Sequence, residues 1–175
     1  MADPAVLSGL APYAYPDPDV MHTGLFQTPA ETVTEFSFWS LWGAPLLMAT
    51  DPRNMSDFKR SVVLNADVLG VQRDALSARA VRLRADNATG AQLWYRDLAG
   101  AEAVALLYNG NDWAAQNLSV SWAELGGAWA GAGAGGVDVY DVWQHAVVAR
   151  AQAGGMQATG VPPHGVAMWR LSLPQ

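Results

Sequence analysis

Between residues 79 and 173 the sequence breaks into seven short runs of branched and aromatic residues, and this rhythm limits the fold more than any other feature. The runs are RAVRLR (79–84), AQLWYRDL (91–98), AEAVALLYN (101–109), QNLSVSW (116–122), VDVYDVW (137–143), AVVARAQ (146–152) and GVAMWRLSL (165–173). Several alternate: Val81 and Leu83 against Arg82 and Arg84, or Val137, Val139 and Asp141 against Asp138 and Tyr140. Side chains on a strand point to opposite faces in turn, so a period of two predicts half-buried antiparallel strands. NGND at 109–112 predicts a turn. Seven such runs in about 100 residues predict a β-sandwich. The Gly/Ala-rich stretch GGAWAGAGAGG (126–136) reads as a flexible insertion anchored by Trp129.

The first part has a different texture. Thr28 followed by Pro29 and Glu31 predicts a helix start with a capping box. In the adjoining run, Phe36, Trp39 and Gly43 fall on one face and Phe38, Leu41 and Trp42 on another, so the helix is buried on both sides. Gly43 ends it. APLLMATD (44–51) predicts a short parallel strand covered on both faces, closing in Asp51. A second helix is expected from Ser56, with Phe58, Val62 and Val63 inward. Extended segment, helix, strand and helix in that order is α/β. Charge changes at the same place. Residues 1–75 hold nine acids and four bases, a net of −5, and residues 76–175 hold seven acids and six bases, a net of −1. The expected division is therefore 1–75 and 76–175.

Bulk composition removes several functions. Hydrophobic residues make up 51% of 175, with eight tryptophans, which is a core-forming chain. The net charge of −6 disfavours nucleic acid and anionic membrane as partners. The absence of cysteine removes disulfides, thiol catalysis and thiolate metal sites. MADPAVLSGL has neither a basic start nor a long apolar run, so no signal peptide is expected there. No stretch approaches 18 consecutive apolar residues.

YPDPDV (15–20) holds two carboxylates, Asp17 and Asp19, each behind a proline. In an extended segment they point the same way, about 6.5–7 Å apart. A retaining glycosidase needs carboxyls about 5–5.5 Å apart on opposite sides of the scissile bond. One ribbon cannot place neighbours so, and the pair is not a hydrolytic dyad. It either shapes a loop or accepts hydrogen bonds from sugar hydroxyls. His22, His145 and His164 show no metal-site spacing and read as structural. Trp39 and Trp42 at helical spacing suit a core better than a sugar platform. Trp94, Trp113, Trp122, Trp143 and Trp169 read as sandwich core. Phosphate loops and G-x-S-x-G elbows are absent. Three N-x-S/T triplets, at Asn54, Asn87 and Asn117, permit glycosylation in a secreted protein.

DPDV (17–20), TPAETVTEFSFWSLWGAPLLMATDPRNMS (28–56) and VLGVQRDAL (68–76) together resemble the α-galactosidases of glycoside hydrolase family 27. That family shows W-N-D-P-D-M/L, a helix with an H-F-S-x-W-type pattern, A-P-L-L-x-x-x-D-x-R and V-x-Q-D in this order. VYDVWQHAVV and VPPHGVAMWRL resemble the close of its β-sandwich. The resemblance implies the last strands and helices of a (β/α)8 barrel over 1–75 and a C-terminal antiparallel β-sandwich over 76–175. It implies retaining hydrolysis of terminal α-linked galactose, with no metal or organic cofactor. The family's nucleophile and acid/base aspartates lie upstream of the DPD segment, and residues 1–14 match neither motif. The catalytic pair is therefore expected to be missing, the chain reading as a truncated enzyme that is inactive by itself. Asp19 maps to the aspartate that contacts sugar hydroxyls, with Val20 beside it. Departures are Tyr15-Pro16 for Trp-Asn and Val71-Gln72-Arg73-Asp74 for V-N-Q-D. Two other readings stand beside it: a non-catalytic carbohydrate-binding or interaction protein built on the sandwich, or a remnant unable to fold. An incomplete barrel leads to the expectation that Phe36, Phe38, Trp39 and Leu46 are exposed.

Overall fold

Thr28 turns the chain into the longest helix among the described residues, α1 (Pro29–Trp42). A computed structural model describes the protein over residues 17–132 and 135–174, and α1 is the first helix among them. The Thr28 hydroxyl accepts from the Glu31 N–H at 3.2 Å, and the Glu31 carboxylate accepts from the Thr28 N–H at 2.7 Å. Two orphan donors of the first turn are thus satisfied reciprocally, as the sequence predicts. Gly43 stops the helix at φ +66°, a backbone region where a Cβ would be strained.

Residues 44–51 depart from the expected strand and form only an isolated parallel bridge, Met21 to Met48. Met21 donates its N–H to Leu47 at 2.7 Å, and Ala49 donates to Met21 at 2.9 Å. With no third segment in this ladder among the described residues, Leu47 and Met48 lie exposed instead of covered on both faces. A 3-10 turn (Pro52–Asn54) leads to α2 (Asp57–Val63), whose first turn is capped by Ser56 as expected. Val62 is buried but Phe58 is exposed, a correction to its expected inward position. Next comes α3 (Ala66–Gln72), capped by the Asn65 side-chain oxygen.

The remaining strands are β1 (Val81–Ala85), β2 (Ala91–Leu98), β3 (Glu102–Asn109), β4 (Gln116–Ser121), β5 (Val137–Asp141), β6 (Ala146–Gln152), β7 (Gly155–Val161) and β8 (Val166–Ser172). They form a six-stranded sheet, β1-β2-β3-β8-β5-β6, facing the two-stranded sheet β4-β7. All the pairings between these strands are antiparallel. The seven expected runs each contain a strand. β7 is an addition to them, because Gly155, Gly160 and two polar residues interrupt its alternation. The 126–136 stretch is not wholly irregular: α4 (Trp122–Leu125) is succeeded by the single turn α5 (Gly127–Ala130). Trp129 does anchor it, donating its indole N–H to the Tyr95 hydroxyl at 2.7 Å.

Both faces of the large sheet are covered. Leu93, Tyr95, Ala103, Ala105, Leu107, Trp169 and Leu171 point toward Leu118, Val120, Trp122 and Trp129. The alternate residues Trp94, Val104, Leu106 and Met168 point toward Phe36, Phe38, Leu41, Val62, Val68 and Val71 of the helices. This explains why β2 and β3 are buried almost continuously, where a simple sandwich would be wet on one side. It also corrects the expected exposed face: Phe36 and Phe38 are buried, Trp39 and Leu46 are half-buried, and all four pack against the sheet-facing core. Phe38 alone has Trp42, Trp94 and Tyr108 within 5.1–5.5 Å between ring centroids. Burying one such side chain contributes about 1.5–3 kcal/mol. Two further corrections concern the rim. Trp113 is 88% exposed, and β1, an edge strand, leaves Val81 and Leu83 exposed.

Candidate functional site

The DPDV segment does not run straight. Asp17 accepts the Asp19 N–H at 2.9 Å, a two-residue Asx turn. Asp19 sits at φ +71°, so the two carboxylates do not project as neighbours on an extended ribbon would. Asp17 thus shapes the loop. Asp19 and Val20 remain exposed. Tyr15 and Pro16, where the motif departs from the family pattern, lie outside the described residues.

One residue later the chain is pinned. Met21 is 1% exposed and pairs with Met48. The Glu35 carboxylate of α1, 9% exposed, accepts the N–H groups of His22 and Thr23, each at 2.8 Å. The Thr50 hydroxyl donates to the His22 carbonyl at 2.6 Å. A buried carboxylate needs such partners, because unpaired burial of its charge is costly. Glu35 therefore fixes the segment that presents Asp19 and Val20. Sequence reasoning misses Glu35; its signal is a carboxylate among the apolar residues of a helix buried on both sides.

Asp51, at the end of the residue 44–51 segment, is not turned toward Asp19's role. Its Oδ1 accepts from the Arg53 backbone N–H and Nε, each at 3.0 Å, and its Oδ2 accepts from Arg53 Nη2 at 2.8 Å. The guanidinium and then the backbone N–H hold this carboxyl below the usual carboxylate range. These contacts give Asp51 a structural role, holding the turn at Pro52–Asn54.

The three histidines each contact a carboxylate. His22 lies 3.7 Å from Glu35, and His145 lies 2.7 Å from Asp67. His164 stands between Glu31 at 2.9 Å and Asp112 at 2.8 Å, one on each ring nitrogen. Carboxylates on opposite ring nitrogens cannot converge on one ion. Among the described residues no group of His, Asp or Glu is placed to hold a metal.

The DPD turn, the capped helix, the A-P-L-L segment and the sandwich succeed one another in an order that known proteins share. The family model described as alpha galactosidase A matches residues 3–74, and that of the alpha galactosidase C-terminal beta sandwich domain matches residues 88–171. An α-galactosidase of Oryza sativa is 30% identical over 162 residues, covering 92% of this chain and 36% of the relative. One from Cyamopsis tetragonoloba is 29% identical over 135 residues, covering 77% and 31%. The crystal structure of α-galactosidase I from Mortierella vinacea superimposes with a TM-score of 0.78 at 21% identity, covering 89% of this chain and 38% of that one. The chain thus spans about a third of the length of the curated relatives it matches. With the barrel-end and sandwich matches in sequence order and the fold shared, the chain belongs to glycoside hydrolase family 27, the α-galactosidases, of which it carries the C-terminal portion.

Proposed function

We propose that this protein supplies the galactose-orienting wall of an α-galactosidase-type active site, and that the nucleophile and acid/base of a retaining hydrolase are not among its 175 residues. Residues 1–75 are the barrel end and residues 76–175 the sandwich. Asp19 accepts hydrogen bonds from hydroxyls of a terminal α-linked galactose, and Val20 packs beside the ring. The observation that carries this reading is the division of labour in the DPD turn. Asp17 is engaged by the backbone, whereas Asp19 is exposed on a turn held by Glu35 and the Met21–Met48 bridge.

Hydrolysis with retention needs carboxyls on both sides of the bond, about 5–5.5 Å apart. Asp51 is tied up by Arg53. One acidic wall can orient a sugar but cannot both attack the anomeric carbon and protonate the leaving oxygen. Galactoside as ligand agrees with a structural neighbour, the Saccharomyces cerevisiae α-galactosidase described with raffinose, which has a TM-score of 0.76 at 18% identity.

The test is an assay of the purified chain on a nitrophenyl α-galactoside. No turnover above background is expected. Turnover that Asp19→Asn abolishes would defeat the claim that catalysis needs groups outside this chain. Calorimetric titration with galactose distinguishes a binding wall from an inert one.

A further inference from the structure

Strand β7 pairs with β4 along one edge, and β6 is the last strand of the six-stranded sheet. Between these edges the sandwich opens into a cleft of about 390 Å³, within the range of small-molecule sites. Trp143, Gln144, Gln157, Thr159 and Trp169 line it around Asp141, and no Lys or Arg does.

The wall is held rigidly. Asp141 is 7% exposed. Its Oδ1 accepts the N–H groups of Trp143 and Gln144, each at 2.9 Å. Its Oδ2 accepts from Gln144 Nε2 at 3.0 Å and from Trp169 Nε1 at 3.3 Å. These bonds fix the Gln144 amide, leaving its carbonyl oxygen and second N–H for a ligand. Trp143 donates its indole N–H to Ser37 Oγ at 3.0 Å and lies edge-on to Phe36, with centroids 6.5 Å apart. The ring is thus locked while remaining half-exposed. Gln157 and Thr159, two apart on β7, add exposed neutral donors and acceptors.

The chemistry selects among ligands. With no cation in the wall, phosphates and carboxylates find no charge partner. A flat indole beside fixed amide and hydroxyl groups suits a ring with an apolar face and a polar rim. We propose that this cleft binds a neutral pyranoside, its C–H face against Trp143 and its hydroxyls on Gln144, Gln157 and Thr159. Because the Trp143 and Gln144 side chains are already ordered, little rotamer entropy is lost on binding. The inference uses none of Asp17, Asp19 or Val20, so it stands or falls separately from the proposed galactose-orienting role.

The test is ligand-observed and amide-resolved NMR of the full chain with methyl α-galactopyranoside and with raffinose. Saturable binding is expected, with shifts at the Gln144 side-chain amide and the β7 amides. Gln144→Ala and the double change Gln157→Ala/Thr159→Val sit on exposed side chains and leave the core intact. Each is expected to weaken binding at least fivefold, whereas Asp19→Asn leaves these shifts unchanged. No saturable binding to the wild-type chain overturns the inference. So do ligand-induced shifts at the β7 amides that persist undiminished in both cleft variants, or saturable binding that only Asp19→Asn removes; the last outcome supports the Asp19 site instead.

Discussion

The imidazole of His164 lies 2.9 Å from Glu31, across the junction between helix α1 and the sandwich. Its other nitrogen lies 2.8 Å from Asp112, on the turn after β3. The Thr34 hydroxyl of α1 also donates to the His164 carbonyl at 2.6 Å. A neutral imidazole donates from one nitrogen only, so two carboxylate partners favour the imidazolium.

Stability is therefore expected to depend on pH through this junction. His164 has its pKa raised above 6.5, first by its hydrogen bond to Asp112 and then by that to Glu31. Its contribution is complete below about 6.5 and fades as pH rises through the raised value. Glu31 works in the opposite direction. The Thr28 backbone N–H, then His164, lower its carboxyl from 4.5 to about 2, so its contribution is complete above about 4.5 and is lost as pH falls toward 2. Tyr108 is the other titrating neighbour; burial first, then Asp112 and Glu31, raise its pKa above 10.0, so it stays neutral in this window. The thermal midpoint should fall by a few degrees between about pH 6 and 9, since half-exposed pairs contribute about 1 kcal/mol or less. His164→Asn, tolerated at the observed φ of +55°, should flatten that slope. An identical slope in the variant would remove His164 as its cause.

Arg96 of β2 is 1% exposed, and its Nη1 donates to the carbonyls of Ser40, Leu41 and Val71 at 3.0–3.2 Å. It caps the C-terminal ends of α1 and α3 with one cation, where the helix dipoles favour positive charge. Arg96→Met keeps much of the volume and removes the donors. Denaturant unfolding should show a loss of about 3 kcal/mol with an unchanged slope, because three buried carbonyls lose a partner. A loss below about 1 kcal/mol would mean that water replaces the guanidinium at little cost.

Val20, Leu25, Phe26, Leu47 and Met48 are exposed around the Met21–Met48 bridge, with Phe26 at 98%. Apolar groups collected near one short bridge suit a contact surface better than a free one. The chain is expected to bind a hydrophobic dye, and the pair Phe26→Asp/Leu47→Asp to lower that signal at least twofold without moving the thermal midpoint. An unchanged signal would place the dye elsewhere.

Much of this was legible locally. Thr28, Glu31 and Gly43 announce the limits of α1 because caps are short-range chemistry between residues a turn apart. The alternation of Val137 and Val139 announces β5 for the same reason. What stayed hidden depended on distant partners. No window around Arg96 reveals that its guanidinium meets helix carbonyls 25 to 56 residues away. The helical pattern implies that Phe36 and Phe38 are buried, but not that a second face of the sheet covers them, since a period of two describes that face as wet. In the DPD turn the residues were visible but not their directions, since one N–H···O bond to Asp17 decides both.

Asp19 offers the last prediction. A non-glycine residue at φ +71° carries backbone strain, less for Asp than for most residues. Glycine would relieve it, and its greater freedom when unfolded offsets part of the gain. Asp19→Gly keeps the N–H that Asp17 accepts, so the turn itself should persist. The net expectation is a stability gain of about 0.5 kcal/mol, measured by denaturant unfolding. Galactose binding at this turn should disappear in the same variant, measured by calorimetry in a Gln144→Ala background to exclude the sandwich cleft. A gain in stability together with a loss of binding would place the reason for this carboxylate in a ligand rather than in the fold. If Asp19→Gly were less stable than the parent, the side chain would be holding the turn, and the sugar-orienting role would lose its support.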